Sequence, residues 1–184
     1  MNLPNTLTIA RIFLVPVVVT VLLATEDIEA RTWWGAGLFL AAALTDMLDG
    51  YLARRRGQVT TFGRLLDPIA DKLLISSALI ALVWRHIAPA WMIVVIIGRE
   101  FAVSGLRGIA AHEGFSIDVS RMGKGKMVMQ VAAVVGLILG ERYRGWVEVT
   151  AEALLWAVVF FALVSMVQYF REFRKKLGNR IKTH

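Results

Sequence analysis

The sequence predicts an all-α polytopic membrane protein: a bundle of six transmembrane helices with both termini on the cytoplasmic side. Three observations carry that expectation. The 184 residues are 57% hydrophobic with a mean hydropathy of +0.61, whereas a soluble domain of this size is about 45–50% apolar. The excess is gathered into long apolar stretches that alternate with short basic ones, the pattern of a chain that crosses a bilayer repeatedly. The Lys and Arg residues are also divided very unequally between the two sides, as the positive-inside rule requires.

The candidate spans cover residues 8–24, 34–53, 66–84, 90–110, 127–140 and 149–170, each near the ~20 residues that cross ~30 Å of hydrocarbon. Residues 5–8 offer Asn5 and Thr8 as capping residues ahead of the first span, and Pro16 is expected to kink it. The first four residues hold no basic segment and no small-residue cleavage site follows, so the first span reads as a retained helix. Trp33, Trp34, Trp84, Trp91 and Trp146 fall near span ends, where interfacial aromatic belts lie. With this topology the termini and the 2–3 and 4–5 connections carry fifteen Lys and Arg, against four (Arg31, Arg85, Arg142, Arg144) on the other face. No repeat, low-complexity tract or linker divides the chain, so residues 1–184 read as one membrane domain.

Charge and composition narrow the partners. A formal net charge of +7 could suggest nucleic acid, but the cations cluster at the ends of apolar segments. Membrane lipids with anionic headgroups and phosphorylated substrates suit them better. The absence of cysteine excludes disulfides and thiolate metal sites. His86 and His112 stand at span ends and His184 at the C-terminus, and none is read as catalytic. The methionines of residues 122–129 read as lipid-facing or packing filler, and the basic tail after Phe170 as an anchor of the last helix.

Four acidic residues stand apart. Asp46, Asp49, Asp67 and Asp71 lie at the cytoplasmic ends of spans two and three, inside otherwise apolar sequence. The first pair is spaced i,i+3 and the second i,i+4, so each pair projects from one helix face. On an antiparallel hairpin the two pairs can face each other. Four carboxylates there would repel and desolvate at several kcal/mol per charge, a cost that protonation or metal relieves. Oxygen-only ligands suit Mg²⁺ or Mn²⁺, and four carboxylates suffice for two ions, the arrangement that serves phosphoryl chemistry. One such aspartate alone would be ordinary, as a helix cap or a partner of Lys72, and Asp67-Pro68 reads as a first helical turn.

Between the pairs, Gly50 and Ala53 leave a groove of small residues, with Arg54 beside it and Gly63 four residues before Asp67. The whole string, Asp46-x-x-Asp49-Gly50-x-x-Ala53-Arg54, eight residues, then Gly63-x-x-x-Asp67-x-x-x-Asp71, resembles the signature of the CDP-alcohol phosphotransferase family at all eight positions. The resemblance implies an enzyme that transfers a phosphatidyl-type group from a CDP-linked lipid to an alcohol and releases CMP. It implies that Asp46, Asp49, Asp67 and Asp71 bind two divalent ions and that Asp71 is also the general base. Gly50, Ala53, Arg54 and Gly63 would line the nucleotide pocket, with Asn5 and Thr8 near the cytidine. It further implies a homodimer in the bacterial inner membrane.

Within the family, the chain is similar to bacterial members that join CDP-diacylglycerol to glycerol 3-phosphate. The stretches that carry this are Asn5-x-Leu7-Thr8-x-x-Arg11, Leu66-Asp67-Pro68-x-Ala70-Asp71-Lys72, Gly98-Arg99-Glu100 with Ser104-x-Leu106-Arg107, and Gly123-Lys124-x-Lys126 followed by Gln130. A phosphorylated acceptor needs cations near the metals, and Arg107, Lys124 and Lys126 share the cytoplasmic face. Arg99 is a further candidate ligand, weighed against a structural ion pair with Glu100. Met127 stands where such enzymes often carry a hydroxyl residue. Another acceptor (phosphatidylglycerol, serine or inositol phosphate) would keep the chemistry, although a neutral acceptor does not require the cations. An ion-coupled transporter would also use intramembrane carboxylates, but nearer the midplane and with an inverted repeat.

Overall fold

The computed structural model describes residues 3–56, 61–115, 117 and 123–181, with side chains in 9–45, 69–115, 117 and 125–178. Six helices account for nearly all of them: α1 (Leu3–Ala24), α2 (Ile28–Arg56), α3 (Thr61–Trp84), α4 (Ala90–His112), α5 (Gly123–Arg142) and α6 (Trp146–Ile181). No strand occurs among the described residues. Each helix contains one expected apolar segment and runs beyond it into polar sequence. Two local expectations fail for that reason. Asn5 and Thr8 lie inside α1, not at its cap, and Asp67-Pro68 lies well inside α3, which begins at Thr61. Backbone bonds hold the longer helices into their charged ends, where apolar periodicity gives no signal. α1 also continues through Pro16.

One helix of the described residues is both long and apolar enough to cross a membrane: α6, over Trp146–Gly178, at a hydropathy of 2.1. α1 contributes a shorter apolar run, Ile9–Ala24. α2, α3 and α4 carry charges within their apolar runs, including Lys72 in α3 and Arg99 with Glu100 in α4, and the apolar run of α5 is short.

The helices pack in the cyclic order α3, α1, α2, α5, α6, α4, with a narrower α3–α4 contact closing the circle. α1 packs broadly on both α2 and α3, which touch each other sparingly. Phe39, Leu79, Leu82, Val18, Leu22, Val134 and Ile138 fill the interior. Phe13, Trp84, Val94, Phe101, Trp156 and Phe160 point outward and are exposed. A smaller cluster at the C-terminal end of α4 joins Val103, Ala110 and Ile117 to Tyr169 of α6.

Close approach of α5 and α6 depends on two glycines one turn apart. A Cβ at Gly136 would lie 3.1 Å from the Ala151 Cβ, and one at Gly140 would lie 3.2 Å from the Glu148 Cα. This small-xxx-small stripe lets the two backbones meet. α4 ends in a Schellman turn, with Gly114 at φ 71 and bonds from Gly114 N to Ala111 O and from Phe115 N to Ala110 O. That turn lays Phe115 on Phe173 of α6, with centroids 5.9 Å apart.

At the opposite end, an ionic clasp gathers Arg31 and Arg85, two of the four cations that the sequence places on that face. The Arg31 guanidinium, 1% exposed, donates through Nε and Nη2 to both oxygens of Glu141, and Arg85 Nη2 reaches the same carboxylate at 3.2 Å. Arg31 Nη1 also donates to the Thr25 and Glu26 carbonyls. Asp27 caps α2 beside it, accepting from Glu29 N at 3.0 Å. One buried arginine therefore ties the α1–α2 connection to α2 and α5, and Glu141 extends the tie to α3.

Candidate functional site

Asp46 and Asp49 lie three apart on α2, and Asp67 and Asp71 four apart on α3. Gly50, Ala53 and Arg54 follow on the last turns of α2, and Gly63 stands on the first turn of α3. The side chains of Asn5, Thr8, Asp46, Asp49, Gly50, Ala53, Arg54, Gly63, Asp67 and Lys124 lie outside the described set. Among side chains inside it, no three His, Asp or Glu residues converge on one point. Asp71 is described: half-buried, next to fully buried Ala70, one turn before the core residues Leu74 and Ile75. A carboxylate held at the margin of an apolar core needs a counter-charge. Hard oxygen donors in that position suit a hard divalent cation.

The adjacent residue fixes where Asp71 stands relative to α4. Lys72 Nζ donates to Ser104 Oγ, and Ser104 Oγ donates to the Glu100 carbonyl at 2.7 Å. Ser104 lies on α4 between Arg99 and Arg107, so the Asp71 end of α3 sits level with that cationic stretch.

Arg99, Arg107 and Lys126 come together there. Arg99 and Lys126 line a recess between α4, α5 and α6, together with Glu100, Gln130, Ile96 and Phe161. It is a small recess, partly open to the surface. Burial holds the Lys126 ammonium below the ordinary lysine value. Arg99 and Arg107 push it the same way and Glu100 opposes them. Burial is the larger cause, and the two arginines add to it.

Arg99 makes the ion pair with Glu100 that the sequence suggests, and it also donates Nε to Ser165 Oγ of α6 at 3.0 Å. Arg107 donates Nη2 to the Tyr169 hydroxyl, with its Cζ 5.1 Å from that ring's centroid. Sequence reasoning passed over Ser165 and Tyr169. The available signal was two hydroxyl residues at i,i+4 spacing toward the end of the apolar stretch of α6.

Comparison with known proteins places the chain. The family model described as CDP-alcohol phosphatidyltransferase matches residues 1–166. The chain belongs to that family. The CDP-diacylglycerol–glycerol-3-phosphate 3-phosphatidyltransferase of Bacillus subtilis (strain 168) is 45% identical, covering 92% of this chain and 93% of its own. The proteins of the same name from Rickettsia felis and Escherichia coli (strain K12) are 39% and 37% identical, each covering at least 95% of both chains. Among solved structures, the chain is similar to Mycobacterium tuberculosis phosphatidylinositol phosphate synthase in complex with manganese and citrate. The TM-score is 0.67 at 20% identity, over 92% of this chain and 81% of that one. The same synthase with CDP-DAG bound gives a TM-score of 0.66 at 20% identity, over 93% and 86%. Like those relatives, this CDP-alcohol phosphatidyltransferase is an enzyme.

Proposed function

We propose that this enzyme transfers the phosphatidyl group of CDP-diacylglycerol to glycerol 3-phosphate, giving phosphatidylglycerophosphate and CMP. The observation that carries the acceptor assignment is the gathering of Arg99, Arg107 and Lys126 at the level of Asp71. Arg99 and Lys126 at the recess, with Arg107 acting on Lys126, suit a phosphorylated acceptor, and serine would not need them. The relatives named for glycerol 3-phosphate, similar over nearly their whole length, support the same reading.

In this mechanism Arg99, Arg107, Lys124 and Lys126 hold the acceptor phosphate and aim its hydroxyl toward α3. The Asp71 carboxylate takes the hydroxyl proton as the oxygen attacks the phosphorus that bears diacylglycerol, and the bond from that phosphorus to CMP breaks. Two divalent ions, Mg²⁺ or Mn²⁺ on Asp46, Asp49, Asp67 and Asp71, would neutralise the diphosphate and the departing CMP. The manganese in the fold neighbour supports a divalent metal here. Gly50, Ala53, Arg54 and Gly63 line the nucleotide pocket, with Asn5 and Thr8 near the cytidine.

The membrane reading rests on the outward residues. Phe160 and Phe101 are each 62% exposed near the middle of α6 and α4, and a third of the apolar α6 window is buried. A helix so apolar and so little covered fits lipid better than water. On this reading residues 1–184 form one domain of six spans in the bacterial inner membrane, with cytoplasmic termini and active site, assembling as a homodimer.

The test is an acceptor panel. Purified protein in detergent with Mg²⁺ and CDP-diacylglycerol is supplied in turn with glycerol 3-phosphate, phosphatidylglycerol, serine and inositol phosphate. Turnover with glycerol 3-phosphate above all others is expected. Turnover only with phosphatidylglycerol would reassign the acceptor, and no CMP with any acceptor would reject the chemistry.

A further inference from the structure

We infer that Ser165 and Tyr169 of α6 are positioning residues that pre-set Arg99 and Arg107 for the acceptor phosphate and thereby govern acceptor affinity. The inference rests on the acceptor reading above and adds to it the part of the molecule that aims the cations.

Ser165 is 2% exposed, and its hydroxyl proton is committed to the Ala162 carbonyl at 3.0 Å. The oxygen is therefore left as an acceptor facing Arg99 Nε. Tyr169 is 7% exposed and its ring is clamped by Val103, Ala110 and Ile117, so its hydroxyl holds a fixed position against the mobile end of Arg107. Spacing gives the pair its effect. Arg99 and Arg107 are eight residues apart, about 12 Å along α4 at 1.5 Å per residue. Their partners are four apart, about 6 Å along α6. Gripped by closer partners, the two guanidinium groups are drawn toward each other, and both act on Lys126.

Arginine has many rotamers, and ordering them on binding weakens affinity. A serine and a tyrosine that impose the order beforehand remove that loss, and the gain is specific to the ligand that the arginines hold. Both are placed to act through the arginines and not on the reacting atoms.

The experiment measures kcat and both substrate KM values for wild type, Tyr169→Phe, Ser165→Ala, Arg107→Ala and the Tyr169→Phe/Arg107→Ala double variant. Thermal melts in detergent accompany them. Tyr169→Phe keeps the ring and its packing and removes only the hydroxyl. It is expected to raise the glycerol 3-phosphate KM roughly ten- to hundred-fold, the scale of a hydrogen bond to a charged group. The CDP-diacylglycerol KM and kcat should stay within about two-fold, and Tyr169→Phe should add nothing once Arg107 is alanine. Ser165→Ala should show the same split and decides the matter if Tyr169→Phe melts early. Unchanged acceptor KM in both variants, equal losses for both substrates, or full additivity with Arg107→Ala would each overturn the inference. Failure of the wild type to release CMP with glycerol 3-phosphate would instead strike the acceptor reading, before any variant is compared.

Discussion

Asp71 and Lys126 show how burial sets the chemistry of single side chains. Asp71 stands half-buried at the core margin, where replacing its carboxylate by an amide keeps the shape and removes the base. Asp71→Asn is expected to lower turnover at least roughly 10²–10⁴-fold, the usual contribution of a general base. Equilibrium binding of CDP-diacylglycerol should be partly retained, and an active variant would remove Asp71 from that role. For Lys126, a pKa held low by burial, then by Arg99 and Arg107, means its charge is lost at a lower pH than an ordinary lysine loses its own. The glycerol 3-phosphate KM should therefore climb on the alkaline side at correspondingly lower pH, and Lys126→Arg should flatten that limb. Stability moves the other way. The cost of burying the ammonium is felt below the lowered pKa and is relieved as pH rises through it toward the unfolded value. A pH series of KM and melting temperature checks both signs.

At the scale of elements, much of the bundle was legible in sequence because apolar runs and their basic flanks report on the environment of a helix. All six helices contain the expected segments. Their ends were not legible: nothing in the apolar pattern says that α1 begins before Asn5 or that α3 begins six residues before Asp67. Nor does periodicity reveal which helices touch, so the Arg31–Glu141–Arg85 clasp was read as ordinary charges on the face with few cations. Removing its centre should be costly, because Arg31 would be left buried without its carboxylate. Glu141→Ala is expected to destabilise the protein by roughly 3–5 kcal/mol, read as a lower melting temperature in detergent. The α5–α6 seam makes a second prediction. Gly136→Leu would drive a side chain into Ala151, whose Cβ is already 3.1 Å from where the glycine's Cβ would stand. Overpacking of about 1–3 kcal/mol should lower the melting temperature, and parting α5 from α6 should also raise the acceptor KM through Lys126.

Across the whole molecule, two sets of groups divide the work between donor and acceptor. The eight-residue signature on α2 and α3 was readable directly, because metal and nucleotide contacts demand fixed residue types at fixed helical spacings. The acceptor side was readable only in part. Arg107 and Lys126 could be read as cations on the cytoplasmic face and Arg99 as a charge within a span, but Ser165 and Tyr169 lie more than sixty residues beyond the arginines they hold and are defined by packing. On the proposed reading α3 carries the donor site and α4 the acceptor arginines, and the Lys72–Ser104 bond joins the two helices. If that account is right, donor and acceptor are joined covalently. The most direct measurement is the product made by the purified wild type from CDP-diacylglycerol and labelled glycerol 3-phosphate. We predict one lipid carrying the intact glycerol phosphate label for each CMP released. CMP released without any labelled lipid, or at a rate indifferent to glycerol 3-phosphate, would contradict it.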